Sequence, residues 1–178
     1  LYAARKFNAP VSLSLENNKT IVPVYLMNET LAPFDGEYRW QLEMFDGSVL
    51  RRGSRGVHLA PMETGCFDRL DFKADLSADQ AGRAAFVARL YDQSGALVSE
   101  QRCLLRKENA CTFCDPQLQV TVKGREVTVT AKHYARYVCL QADGVSAPFS
   151  DNYFDLSAGE SKTVSLDAQD SDELLAEK

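Results

Sequence analysis

The sequence predicts an all-β protein of two tandem immunoglobulin-like antiparallel β-sandwich domains. Apolar residues alternate with polar ones along short segments, which is the period of a half-buried strand. Turn signals separate these segments about every ten residues, with no helical stretch between them. A charged, proline-containing stretch, "RKENACTFCDPQ", interrupts the pattern, and the alternation begins again after it. We therefore expect a sandwich domain at residues 11–108, a linker at 109–116 and a smaller domain at 117–178.

The first domain is expected to contain about seven strands. In "EYRWQLEMF", four apolar residues alternate strictly with polar ones, which places the apolar side chains on one face of a strand. That strand ends at the turn-forming pair Asp46-Gly47, after which the chain returns as a hairpin. Pro23 indicates an edge strand or a bulge, and "SADQAG" indicates a turn or a single helical turn between the sheets. Further strand segments are expected at residues 22–26, 49–50, 57–59, 67–72, 84–91 and 97–105.

The second domain is expected to begin with a hairpin that has one apolar face. Three apolar residues of each strand should face each other across a turn at Lys123-Gly124. They are Leu118, Val120 and Val122 on one strand and Val127, Val129 and Ala131 on the other. Further strands are expected in "YVCLQADG", "PFSDNYFDL" and "KTVSLD", which makes a small sandwich and leaves open whether its last strand is missing.

Composition and charge exclude several functions. The chain has 20 basic and 25 acidic residues among 178, a formal charge of −5, and it has no stripe of Lys and Arg. We therefore expect no nucleic acid partner, because binding to a phosphate backbone needs such a stripe. No run reaches the roughly 18 apolar residues that span a bilayer, so we expect no membrane partner. The odd number of cysteines leaves the cellular compartment undecided.

Trp40 is the first candidate binding residue, because an indole face can stack on a sugar ring. It shares the apolar register of Tyr38 and Leu42, however, which favours a core tryptophan of the sandwich. No cysteine precedes Trp40, so the disulfide that accompanies such a tryptophan in antibody domains is not expected.

The Cys111-x-x-Cys114 pair is a candidate metal or redox site. Structural zinc needs four ligands, and a redox pair needs its first cysteine at a helix N-terminus. Here Asp115-Pro116 continues an extended linker, so an incidental or disulfide-capable pair is favoured over both. The remaining cysteine and histidine residues are scattered and are not paired at ligand spacing: Cys66, Cys103, Cys139, His58 and His133.

The segment "FSDNYFDLSAGE" at residues 149–160 combines aromatic and acidic residues as a ligand site would. Its aromatic residues do not fit one period-two face, which favours a bulged or cornered strand. Asp151, Asn152 and Asp155 are then expected to bind backbone groups through the corner. Calcium needs more oxygen ligands than these three supply, so a fold-defining corner is favoured over a metal site.

Four segments carry a more specific pattern: "YAARKFNAPV", "VYLMNETLAPFDGEYRWQLEMFDG", "AKHYARYVCL" and "FSDNYFDLSAGESKTV". In wording and order they resemble the segments that close a β-mannosidase of glycoside hydrolase family 2. The resemblance spans nearly all of the chain. The CxxC pair departs from the family pattern.

The resemblance implies a modular parent enzyme that hydrolyses terminal, non-reducing β-D-mannose residues with retention. Its two catalytic glutamates belong to a (β/α)₈ barrel of about 250 residues, for which this chain has no room. Residues 1–10 then correspond to the end of the last barrel helix and the entry segment. The Asn28-Glu29 pair matches the acid/base signature of this superfamily, but its position at a strand end favours a turn. We therefore expect no catalytic, cofactor-binding or metal-binding residues in this chain, and no cofactor.

Two hypotheses follow. The first is a non-catalytic C-terminal accessory region that buttresses the catalytic barrel of the same parent chain and meets mannose-containing glycans through that parent. It requires an apolar patch that faces the parent. The alternative is a stand-alone carbohydrate-binding or adhesion module, which requires two or three coplanar aromatic side chains facing solvent. Localisation stays open, with periplasmic, secreted and lysosomal parents all compatible.

We expect no hydrolysis of p-nitrophenyl β-mannoside by this chain, because the paired glutamates of the retaining mechanism lie outside it. The measurement is release of p-nitrophenol by the repurified protein, with Glu29→Gln as the matched variant. Turnover by the unmodified chain that Glu29→Gln abolishes would contradict the expectation that this chain is non-catalytic.

Overall fold

The computed structural model describes residues 9–16, 19–141 and 149–166. The chain divides into two compact units, the first ending at Phe113 and the second beginning at Cys114. Almost all regular structure is antiparallel β-sheet, as the alternation predicts. In the described residues, no helix is long and apolar enough to cross a membrane.

In the described residues, the first unit is a sandwich of seven strands and one short helix. The elements are β1 (Val11–Leu15), β2 (Ile21–Asn28), β3 (Phe34–Met44), β4 (Val49–Leu59), β5 (Thr64–Asp71), α1 (Ala78–Ala81), β6 (Ala84–Asp92) and β7 (Leu97–Leu104), followed by a 3-10 turn at Glu108–Ala110. One sheet has the order β1-β2-β5 and the other has the order β4-β3-β6-β7. Helix α1 is the predicted single turn between sheets, and Ser77 and Gln80 form a capping box at its start.

Two strands of the first unit differ from the prediction. Strand β1 was not expected, although Val11, Leu13 and Leu15 alternate with serines in it. The separate segments expected at 49–50 and 57–59 form one strand, β4, because its glycine-rich and arginine-rich middle pairs with β3 along its length. Its backbone hydrogen bonds do not depend on side-chain polarity.

Pro23 lies in β2, which is the central strand of its sheet and not an edge strand. The sequence analysis also allowed a bulge at Pro23. An irregularity of this kind lies next to it, because the pairing register of β2 with β5 shifts between Val24 and Tyr25. Although Pro23 has no N–H to donate, its carbonyl accepts a hydrogen bond from the Glu16 N–H at 3.0 Å.

The core of the first unit lies between the two sheets. Its largest fully buried side chains include Tyr38, Phe72 and Phe86. Trp40 faces this core as predicted, with its ring centroid 5.8 Å from that of Phe72 and 6.0 Å from that of Phe86. It is half-buried and not fully enclosed. Its indole lies across Gly53 of β4, where a Cβ atom would come within 2.8 Å of the ring.

The described part of the second unit is a smaller sandwich with five strands. They are β8 (Leu118–Lys123), β9 (Glu126–Ala131), β10 (Ala135–Val138), β11 (Phe154–Leu156) and β12 (Ser161–Ser165). One sheet has the order β12-β9-β8, and the other consists of β10 and β11. The β8–β9 register is the predicted one, with Leu118 opposite Ala131 and Val120 opposite Val129. Its core contains Val129, Ala131, Phe154, Leu156 and Val164.

The loop after β2 depends on one buried amide. Asn28 is 0% exposed, and its Nδ2 donates to the carbonyls of Ala32 (2.8 Å) and Ala60 (3.0 Å). Its Oδ1 accepts hydrogen bonds from the N–H and the hydroxyl of Thr30, at 3.0 and 2.7 Å. Asn28 therefore joins the loop to the residues that follow β4.

Trp40→Ala should lower the free energy of unfolding by about 3 kcal/mol, near the lower end for a core tryptophan because the ring is half-buried. Urea unfolding followed by far-ultraviolet circular dichroism measures this. A loss below about 1 kcal/mol would mean that the indole contributes little to the core.

Asn28→Ala should cost about 3 kcal/mol, since it removes the four hydrogen bonds of a fully buried amide. The adjacent Glu29→Ala is the matched control, because the Glu29 side chain is exposed and should change stability by less than about 0.5 kcal/mol. Equal stabilities of the two variants would contradict the role assigned to Asn28.

Candidate functional site

The Asn28-Glu29 pair forms a structural loop. The four hydrogen bonds of Asn28 are all made within the protein, and Glu29 is exposed with its N–H bound to the Pro10 carbonyl at 2.8 Å. The turn interpretation of the pair is therefore confirmed for Asn28.

None of the five cysteines, all of which lie in the described residues, is disulfide-bonded. Cys111 Sγ lies 3.5 Å from the Lys107 carbonyl, at the end of the 3-10 turn. Burial raises the pKa of the Cys103 thiol to about 12, which keeps it protonated and weakly nucleophilic at neutral pH. Within the described part of the chain, no three His, Cys, Asp or Glu residues are grouped so that they could hold a metal ion.

A groove of about 410 Å³ lies along the four-stranded sheet, with charged side chains from β3, β4 and β6 in its lining. Two of the three arginines in its described lining, Arg39 and Arg89, are paired with carboxylates. Arg39 donates to Glu37 through Nε at 2.9 Å, and this hydrogen bond lowers the pKa of the Glu37 carboxyl. Arg89 and Arg102 both bind Glu100.

The aromatic residues of this groove are poorly placed for a sugar. The guanidinium carbon of Arg39 lies 4.6 Å from the centroid of the Tyr91 ring and covers one face of it. Trp40, which also lines the groove, packs its indole against the core. The groove therefore does not present the coplanar aromatic faces that a carbohydrate-binding module needs.

A larger cavity, of about 900 Å³, lies beside α1 and the 3-10 turn. Leu76, Ala81 and Leu105 give it an apolar wall, and basic residues including Lys73 surround it. Ser77, a hydroxyl in the lining, accepts a hydrogen bond from the Gln80 N–H in the capping box. The described lining contains no His, Cys, Asp or Glu that could act as a general base for that hydroxyl.

The residues of the 149–160 segment form the predicted corner. Asn152 is buried, and its Oδ1 accepts from the Leu140 and Tyr153 N–H groups at 2.8 and 3.0 Å, while Nδ2 donates to the Leu140 carbonyl at 2.9 Å. Asp155 accepts from the Tyr137 N–H at 2.9 Å and from the Tyr134 hydroxyl at 3.0 Å. These oxygens bind protein donors, which is the structural role that the sequence predicts.

Two tyrosines lie at the surface: Tyr153 in this corner and Tyr137 in β10, with 60% and 53% of their area exposed. The sequence analysis did not predict their exposure. Both have a left-handed backbone, with φ of 56° and 52°. The only sequence signal was the misfit of the aromatic residues to a period of two, which indicates irregular backbone but not which rings face outward.

Two family models match the chain. Residues 20–107 match a mannosidase Ig/CBM-like domain, and residues 113–178 match the Ig-fold domain of the mannosidase immunoglobulin family. A comparison with curated proteins found no significant match.

Solved structures share the fold. A β-D-mannosidase from Dictyoglomus thermophilum superposes with a TM-score of 0.76 at 13% identity, over 99% of this chain and 22% of that one. An exo-chitosanase from Amycolatopsis orientalis superposes with a TM-score of 0.59 at 19% identity, over 93% of this chain and 24% of that one. This chain thus spans about a quarter or less of the length of these proteins. The two family models together match most of the chain, so the chain consists of two tandem immunoglobulin-like domains of the types that these mannosidase domain models describe.

Proposed function

We propose that this chain is the non-catalytic C-terminal accessory region of a family 2 β-mannosidase, and that it buttresses the catalytic barrel of that parent. The parent would hydrolyse terminal, non-reducing β-D-mannose residues of glycans. Two findings support a mannosidase as the parent: the model that matches residues 20–107 is described as a mannosidase domain, and a β-D-mannosidase is among the solved structures that share the fold.

The observation that carries the buttressing role is an uncovered apolar stripe on β8. Leu118, Val120 and Val122 lie opposite Ala131, Val129 and Val127, on the side of the sheet that faces the core. The β9 residues are buried, whereas the three β8 residues are 41%, 57% and 65% exposed. In the described residues the other sheet of this unit has two strands, one fewer than the sheet that contains β8.

Such a stripe is costly to leave in water. Each valine or leucine would gain about 1.5–3 kcal/mol from full burial relative to full exposure. Among the strands that the structure describes, β8 is at the edge of its sheet, and its outer backbone groups pair with none of them. Both properties favour a surface that packs against another part of a larger protein.

The test is association with a separately produced remainder of the parent chain. Mixing the two should give a complex in analytical ultracentrifugation and should raise the melting temperature of the remainder, because a ligand of the native state stabilises it. No association and no thermal gain would contradict the buttressing role.

The double variant Val120→Thr/Val122→Thr should weaken this association by about tenfold or more, because it places two hydroxyls in an apolar contact. It should change the stability of the isolated chain by less than about 1 kcal/mol, since both side chains are already more than half exposed. Gln119→Ser/Thr121→Ser, on the opposite face of β8, is the matched control and should associate as the unmodified chain does. Equal affinity of the two double variants would exclude the stripe as the contact.

A further inference from the structure

Two loops at one end of the first unit expose apolar residues together. One loop joins β2 to β3 and the other joins β4 to β5. Their exposed apolar residues, named here the loop patch, are Leu31, Ala32, Pro33, Ala60, Pro61 and Met62. Leu31 is 89% exposed, the highest value for a large hydrophobic side chain in the described residues, and Met62 is 63% exposed. Contiguous apolar surface of this kind is typical of a contact with another part of a protein.

Hydrogen bonds hold the two loops of the patch against each other. The amide of the buried Asn28 donates to the carbonyl of Ala32 at 2.8 Å and to that of Ala60 at 3.0 Å. The Met62 N–H donates to the carbonyl of Thr30, the residue before Leu31, at 3.1 Å. The backbones of the two loops are therefore in direct contact, and the loop patch lies at one end of the unit as a single surface.

The backbone at Met62 is unfavourable for methionine. Residues 60–63 form a turn, in which the Glu63 N–H donates to the Ala60 carbonyl at 3.2 Å and Pro61 is the second residue. Met62, the third residue, has φ of 59°. A type II turn has this arrangement, and its third residue is usually glycine or asparagine. The turn itself does not require methionine, so the fold of this unit gives no reason for the large apolar side chain there.

The polypeptide that precedes β1 enters the unit beside the loop patch. The Glu29 N–H donates to the Pro10 carbonyl at 2.8 Å, and Val11 of β1 pairs with Asn28 of β2. Pro10 therefore lies next to the loop that contains Leu31. Consecutive Cα atoms are only about 3.8 Å apart, so a structure attached through residue 9 begins at this end of the unit.

We infer that the loop patch is a contact surface for the part of the parent that precedes this chain, with Leu31 and Met62 as the side chains buried in the contact. The inference rests on the accessory role proposed above and adds a second contact, in a different unit from the apolar stripe of β8. Removing these two side chains from water would stabilise the contact. Because the preceding polypeptide is covalently attached beside the patch, its effective concentration there is high, and a small surface is sufficient.

The experiment compares the affinities of the unmodified chain and of the double variant Leu31→Ser/Met62→Asn for the separately produced remainder of the parent. The variant should resist urea at least as well as the unmodified chain, because asparagine tolerates the left-handed conformation and Leu31 is almost fully exposed. It should bind the remainder about tenfold more weakly or worse, since the contact loses two apolar side chains.

The matched control removes two exposed apolar side chains from the opposite end of the same sheet. Leu59 of β4 pairs with Phe34 beside the loop patch, whereas Val49 pairs with Glu43 at the far end of β3. Val49 and Leu50 are 46% and 37% exposed. Val49→Thr/Leu50→Thr keeps residues that suit a strand and should bind the remainder as the unmodified chain does.

Methionine oxidation tests the contact without a substitution. In the isolated chain, hydrogen peroxide should oxidise the exposed Met62 faster than the half-buried Met27 and Met44. Binding of the remainder should slow the oxidation of Met62 several-fold, because the side chain becomes covered. Mass spectrometry of proteolytic peptides measures the three rates, and Met27 and Met44 serve as internal references.

Two results would overturn the loop patch and leave the buttressing role in place. One is equal affinity of the unmodified chain and Leu31→Ser/Met62→Asn for the remainder, or an equal loss of affinity in the Val49→Thr/Leu50→Thr control. The other is oxidation of Met62 at the same rate in the isolated chain and in the complex. Absence of any association between the unmodified chain and the remainder would overturn both the loop patch and the buttressing role.

Discussion

The structure depends on one constraint: an antiparallel sheet needs one face covered by another layer, because half of its side chains are apolar. In the first unit, a three-stranded and a four-stranded sheet meet this constraint together, and side chains such as Leu26, Leu42 and Phe86 are fully buried between them. In the second unit, a three-stranded sheet faces a two-stranded one. The core face of the sheets is thus covered more completely in the first unit than in the second, where the apolar side chains of β8 stay exposed.

The same constraint explains why the polar residues of the second unit are concentrated in its corner. A short, irregular ribbon such as β10–β11 has few ladder hydrogen bonds, and its register shifts between Ala135 and Val138. The backbone groups that the ladder does not pair need other partners when they are enclosed. Asn152 and Asp155 supply those partners, so a segment with the composition of a ligand site is used to build the fold. Its side-chain oxygens bind protein donors, and two of these donors are the N–H groups of Tyr137 and Tyr153, whose backbone is left-handed.

The sequence predicted most of the fold because the signals involved are local. The alternation in β3, the turn at Asp46-Gly47 and the opposed valines of β8 and β9 each depend on residues close together in the chain. The full length of β4 could not be predicted in this way, because its middle is polar and forms a strand only through its pairing with β3. Pro23 shows a related limit: its missing N–H indicates an interruption of the ladder, but the position of β2 within the sheet is decided by distant strands.

The candidate site was harder to predict than the fold for the same reason. Which aromatic side chains of the second unit face outward depends on the left-handed backbone at Tyr137 and Tyr153, and that conformation depends on hydrogen bonds from residues up to 18 positions away. Period-two reasoning assumes extended backbone and fails wherever a residue has positive φ. Sequence analysis therefore identified Asp151, Asn152 and Asp155 as structural residues but not the tyrosines that two of them hold.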